Sequence, residues 1–150
     1  PPGICQYGDN YLVATLMTER VRIHGDGGSR GNPGPAAGAA VLLGADGEVL
    51  EKRAEYMGVA TNNQAEYLAV ELGLQAMHDL KISAADFYLD SQLVVRQLNG
   101  QYKVKHPEMK AAFNRIQELK QGLDVTFTHV LRAENTIADT AVNECLDAHV

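Results

Sequence analysis

A chain of 150 residues, 45% hydrophobic and 21% charged, is long enough for one domain with a full core and reads as soluble and globular. No apolar run approaches the ~20 residues of a membrane span, the stretch Tyr11–Met17 lacks the basic flank and cleavage site of a signal peptide, and Cys5 and Cys145 have neither metal nor redox spacing, which points to reduced thiols in a cytoplasmic protein. A net charge of −6 speaks against a polyanionic partner unless a local basic patch meets it, and Lys103, Lys105, His106 and Lys110 fall within eight residues.

Residues 1–18 place Pro-Pro-Gly and Gly-Asp-Asn around one apolar stretch and read as an N-terminal extension to a domain spanning 19–150. Val21 and Ile23 alternate with polar neighbours, which predicts a strand ending at Asp26. Asn32-Pro33-Gly34 is a turn, 37–44 a second strand, Asp46-Gly47 a hairpin signal, and 48–56 a third strand. With no helix between them, these three should be antiparallel neighbours. A helix follows over roughly 62–80, with a solvent line of Gln64, Tyr67/Leu68, Glu71, Gln75 and His78. Residues 85–90 form a buried-type strand, and Ser91 can cap a helix through Leu98. Pro107 suits the first turn of another helix, whose stripe is Met109, Ala112, Phe113, Ile116 and Leu119. Residues 124–131 alternate as a last strand, and Asn135 is placed to cap a final helix to about 148.

Four acids stand out against this pattern. Glu66 shares a helical line with Val70, Gly73 and Met77, so it should face inward. Asp139 heads a similar line with Val142 and Leu146. Asp90 closes a buried-type strand, the end of a sheet where ligands bind. Asp26 precedes two glycines that permit close backbone approach. Taken singly, Asp90 could be a helix cap, Asp139 a first-turn acid favoured by the helix dipole, and Glu66 the partner of an arginine. Taken together, four acids near element ends fit a shared cluster. Clustered carboxylates repel and hold protons unless a cation meets them. Mg²⁺ or Mn²⁺ takes oxygen ligands, and two such ions ~3.5–4 Å apart clamp the attacking and leaving oxygens of a phosphoryl displacement. Zinc fits less well without a His/Cys set. Removing the four acids from the net charge leaves −2, so the acidic balance does not exclude nucleic acid.

Other chemistries lack their residues. The Gly-rich 25–34 segment has no Gly-Lys-Ser/Thr for a P-loop, and Arg30 stands where a dinucleotide fingerprint needs its third glycine. There is no Gly-x-Ser-x-Gly nucleophile elbow.

Asp-Gly-Gly-Ser-Arg-Gly-Asn-Pro-Gly (26–34), Thr-Asn-Asn-Gln-Ala-Glu-Tyr (61–67), Asp-Ser-Gln-Leu-Val (90–94) and Asn-Thr-Ile-Ala-Asp (135–139) together resemble the four acidic motifs of type 1 ribonuclease H, in order, over about 20–148. The resemblance implies an α/β ribonuclease H-like fold: a five-stranded mixed sheet of order 3-2-1-4-5 with helices on both faces. It implies that Asp26, Glu66, Asp90 and Asp139 ligate two Mg²⁺ (or Mn²⁺). A metal-activated water would then cut the RNA strand of an RNA–DNA hybrid, leaving 5′-phosphate and 3′-hydroxyl ends. Asn32, Asn62 and Asn63 map to the family's minor-groove contacts, and carboxamides suit 2′-hydroxyls and base edges. Many members carry a histidine before the last acid. His129 has a suitable spacing, but its alternation with Val125 and Phe127 points it at the core, and Arg132 is the alternative auxiliary cation. The Trp- and Lys-rich protrusion of some members is missing from Asn99–His106, and Lys103, Lys105 and Lys110 partly replace it as phosphate contacts. No protein partner is evident, and a monomer is expected. Three alternatives remain open on the residues alone: a non-catalytic hybrid-binding module, an integrase- or resolvase-like nuclease, and a phosphatase with Asp26 as nucleophile.

Overall fold

The computed structural model describes residues 20–150, so the N-terminal extension 1–18, with Cys5, lies outside the described residues. The strands are β1 (Val21–Ser29), β2 (Gly34–Leu43), β3 (Val49–Ala60), β4 (Ala84–Leu89) and β5 (Asp124–His129). The helices are α1 (Asn62–Leu80), α2 (Gln92–Leu98), α3 (Pro107–Leu119) and α4 (Thr136–His149), with a 3-10 turn at Arg132–Glu134. The sheet order is β3-β2-β1-β4-β5, as the resemblance implied. β1, β2 and β3 form an antiparallel meander, while β4 pairs parallel to β1 and β5 parallel to β4.

Period-2 alternation fixes the two faces of β1. Val21 and Ile23 join the larger core with α1, α2 and α3, including Val70, Met77, Phe87, Val94 and Ile116. A smaller core on the opposite face packs Ala37, Ala39, Val41 and Leu43 of β2 against Ala141, Val142 and Leu146 of α4. Among the described residues no helix is long and apolar enough to cross a membrane, and Cys145 is a free, half-buried thiol.

Several element boundaries differ from the sequence reading, among them the start of β2, at Gly34 rather than 37. β1 does not end at Asp26. It continues to Ser29 because Gly27 and Gly28 lie opposite Gly38 and Ala37, and small residues on both strands let pairing run on. β3 extends to Ala60 through an irregularity at Met57–Gly58, where Gly58 adopts φ +75°. β5 stops at His129 rather than 131, as the chain turns into the 3-10 segment.

Helix α1 begins where expected. Thr61 is its cap, through a reciprocal arrangement with Gln64. Its predicted solvent line fails in the middle: Tyr67 is fully buried and Glu71 is 7% exposed, while Gln75 and His78 are exposed. The reason is packing by later helices: α3 lies over Glu71, and Gln97 of α2 meets Tyr67. Arg115 of α3 donates to Glu71 Oε1 at 2.7 Å, and the Tyr67 hydroxyl donates to Gln97 Oε1 at 2.6 Å. Ser91 caps α2 by accepting from Val94 N–H, and the stripe of α3 buries Met109, Ala112 and Ile116 as read.

Candidate active site

Four separate elements deliver the acids. Asp26 lies within β1, Glu66 in the second turn of α1, Asp90 directly after β4, and Asp139 in the first turn of α4. Asp26 and Glu66 are buried, whereas Asp90 and Asp139 are half-buried. Carboxylate oxygens of Asp26, Glu66 and Asp90 all lie within 4.8 Å of one another. Asp139 stands outside that set of three but lines the same cleft, of about 560 Å³.

Glycine makes the convergence of β1 and α1 possible. A Cβ on Gly27 would stand 2.1 Å from the Ala65 carbonyl carbon, and one on Gly38 would stand 2.8 Å from the Ala65 oxygen. With hydrogen there instead, the first turns of α1 rest directly on the strands, and Gly27 N–H donates to Glu66 Oε1 at 2.8 Å. The other oxygen, Glu66 Oε2, is buried without a partner among the described residues. A buried orphaned carboxylate oxygen is costly unless a proton or a cation serves it.

The electrostatics agree. Burial pushes the Asp26 carboxyl up to about 7, and the charges of Asp90 and Asp139 add to this. Glu66 is raised well above the carboxylate range by burial first and by Asp26 next, against the pull of Gly27 N–H. Both shifts favour the protonated carboxyls when no cation is bound. A donor set made only of carboxylate oxygens, one of them orphaned, fits a hard divalent cation such as Mg²⁺ or Mn²⁺. That cation would replace the proton.

The other candidates divide. Asn62 and Asn63 are exposed and line the cleft, and Arg132 does so from the 3-10 turn. Asn62 Oδ1 accepts from Ser29 N–H at 2.8 Å and from Ser29 Oγ at 3.1 Å, and Asn32 Oδ1 accepts from Asn62 N–H at 3.1 Å. These bonds tie the rim of the turn to the start of α1. Asn32 and Asn63 also line an adjoining depression of about 280 Å³ with Thr61 and His106. His129 is exposed rather than core-facing, because it ends β5 beyond the layer that buries Phe127, and it does not line the cleft.

Two residues at the site had no functional reading in the sequence. Arg30 lines the cleft and pairs with Asp147 of α4 at 2.6 Å. Asn135, expected to cap α4, makes no side-chain cap bond and is fully buried. Its Nδ2 donates to Gly25 O at 2.8 Å and, over a long 3.4 Å, to Asp90 Oδ2, while its Oδ1 meets His24 Nδ1 at 2.9 Å. An asparagine immediately before a helix suggests a cap first, and its four-residue spacing from Asp139 was the one available signal.

Residues 24–145 match a family model described as reverse transcriptase-like. A ribonuclease HI of Halobacterium salinarum is 43% identical over 129 residues, covering 85% of this chain and 65% of that protein. A bifunctional protein of Mycobacterium tuberculosis is also 43% identical, over 131 residues, covering 86% of this chain and 36% of that protein. The chain thus spans less than two thirds of either relative. Among solved structures, LC11-RNase H1 in complex with an RNA/DNA hybrid superposes with a TM-score of 0.82 at 37% identity, covering 86% of this chain and 98% of that one.

Proposed function

Since the chain belongs to the type 1 ribonuclease H family, we propose that it hydrolyses the RNA strand of RNA–DNA hybrids as a metal-dependent endonuclease. One observation carries this reading: oxygens of Asp26, Glu66 and Asp90 gather within 4.8 Å on an open cleft that Asp139 also lines, with Glu66 Oε2 buried and unpaired. Two Mg²⁺ ions, or Mn²⁺ in their place, would supply activation of water and stabilisation of the attacking and leaving oxygens. Asp26, Glu66, Asp90 and Asp139 would hold them, and protons kept by the buried Asp26 and Glu66 carboxyls would leave when they do. No side chain becomes covalently attached, and the products carry 5′-phosphate and 3′-hydroxyl ends.

The rim binds the substrate. Asn32, Asn62 and Asn63 offer carboxamides to the minor groove, where the 2′-hydroxyl marks the RNA strand. The bonds from Ser29 and from Asn62 N–H hold the Asn62 and Asn32 oxygens in place, so these groups meet the hybrid already oriented. Arg132 contributes positive charge on the side of the leaving oxygen. The exposed Lys103, Lys105 and Lys110 meet backbone phosphates, so hybrid binding weakens with salt. That a relative of the same fold has been solved with a hybrid bound supports this substrate class. The protein acts as a cytoplasmic monomer in this reading.

A strand-labelled hybrid tests it. RNA-strand cleavage should require added Mg²⁺ or Mn²⁺, stop on chelation, and leave duplex DNA intact. Cleavage that persists in chelator, or efficient cutting of duplex or branched DNA, overturns the proposal.

A further inference from the structure

Asn135 occupies a junction of the fold. It immediately precedes α4, which carries Asp139. Its Nδ2 donates to the carbonyl of Gly25, the residue before Asp26, at the position where the β1–β4 ladder ends with Gly25 opposite Leu89. The same Nδ2 reaches Asp90 Oδ2 at 3.4 Å. One buried carboxamide therefore touches the segments that carry three of the four acids.

The orientation of that carboxamide is decided by its neighbours. Gly25 O and the Asp90 carboxylate are acceptors, so the NH₂ end must face them. The oxygen end then faces His24 Nδ1 at 2.9 Å, and this contact is favourable only if Nδ1 carries a hydrogen. A flipped carboxamide would set its oxygen against two acceptors. The imidazole is held in turn by Tyr88, its neighbour across the β1–β4 pairing, with ring centroids 5.2 Å apart and planes at 28°. Both neutral Nδ1–H imidazole and imidazolium donate from Nδ1, so the arrangement does not depend on the charge of His24.

We propose that His24 is a positioning residue for the metal site, its Nδ1–H fixing the Asn135 carboxamide so that Nδ2 orients Asp90 and ties it to the Asp26 strand. This rests on the metal-dependent reading above. The hydrogen bond is needed because the Nδ2–Asp90 contact is long. With only the Gly25 bond left, the carboxamide would tilt about it, and the long contact to Asp90 would be the first to lapse.

Two substitutions separate the hydrogen bond from the ring. His24→Phe keeps a ring against Tyr88 and removes the donor. His24→Asn removes the ring and keeps an N–H donor close to the position of Nδ1. Mn²⁺ binding to the protein alone, measured by titration calorimetry, should weaken about tenfold in His24→Phe. Its kcat on hybrid should fall with KM unchanged, and its metal-free melting temperature should drop by a few degrees, because the buried Asn135 Oδ1 loses its donor. His24→Asn should recover most of the lost affinity. Wild-type affinity in His24→Phe, or equal impairment in both variants, overturns the proposal. Asp26→Asn is the control. If its Mn²⁺ isotherm matches wild type, the metal reading itself fails and takes this one with it; if Asp26 is required and His24→Phe is normal, only the His24 assignment falls. Should His24→Phe not fold, the wild-type protein still decides. Its ¹⁵N–¹H correlations at pH 8 should show a hydrogen on His24 Nδ1, and the tautomer with its hydrogen on Nε2 alone overturns the assignment.

Discussion

Gly27 donates its backbone N–H to Glu66 Oε1 at 2.8 Å, at a spot where a Cβ on Gly27 would lie 2.1 Å from the Ala65 carbonyl carbon. The obstacle is helix backbone, which cannot swing aside. Gly27→Ala should therefore push α1 off β1, destabilise the protein by about 3 kcal/mol or more, and separate Glu66 from Asp26. Gly28 is the control, because a Cβ there meets only Val142 Cγ1 at 3.9 Å. Urea unfolding of both variants should show a large loss for Gly27→Ala and less than about 1 kcal/mol for Gly28→Ala.

The raised carboxyl of Asp26 makes a signed prediction for the metal-free protein. Its folded-state value of about 7 stands above the ordinary 3.8. Between those limits the fold keeps a proton that the unfolded chain has released. The Asp26 contribution is therefore fully present below about pH 4 and is lost as the pH rises toward 7. Glu66 shifts in the same direction. In chelator at pH 8, Asp26→Asn should melt about 5 °C above wild type, and the gap should shrink at pH 5. Added Mg²⁺ should stabilise wild type and leave Asp26→Asn unchanged. The same variant should retain hybrid binding with turnover abolished. Melting curves at two pH values, with and without Mg²⁺, check the sign.

The acids were legible in the sequence because each interrupts a local pattern. Glu66 breaks an apolar helical line, Asp90 ends an apolar strand, and Asp26 precedes glycines. The antiparallel pairing of the first three strands followed from the absence of a helix between them, and the full sheet order from the family resemblance. Side-chain directions fixed by distant packing were not legible. Glu71 sits among polar positions of α1, yet α3, more than thirty residues later, covers it. Asn135 looked like a cap because helix starts attract asparagine, and only the position of β1 reveals that its carboxamide turns inward. His129 continues the alternation of β5, but the core ends before it does.

Glu71 leads to a test of that long-range packing. Its side chain is 10% exposed and its partner Arg115 is 57% exposed, so the pair lies at the edge of the core. Arg115→Ala would leave the carboxylate desolvated without its cation, and should cost about 2 kcal/mol. Arg115→Ala combined with Glu71→Gln should recover part of the loss, because the charge is gone. Denaturant midpoints of the single and double variants measure this, and hybrid cleavage at 25 °C should be unaffected, since neither residue lines the cleft.

Arg132 and His129 lie three residues apart, and the structure separates their positions. Arg132 is exposed and lines the cleft, whereas His129 ends β5 and stays outside it. A guanidinium facing the scissile region can stabilise charge on the leaving oxygen, and loss of one charge-assisted contact is worth about tenfold in rate. Arg132→Ala should therefore lower kcat/KM by about tenfold, with Arg132→Lys recovering part of it. His129→Ala should stay within about twofold of wild type, since a contact never made costs nothing in the transition state. A steady-state comparison of the three variants on one hybrid decides the matter. A large loss in His129→Ala with a normal Arg132→Ala would reverse the assignment and require the segment after β5 to rearrange when the hybrid binds.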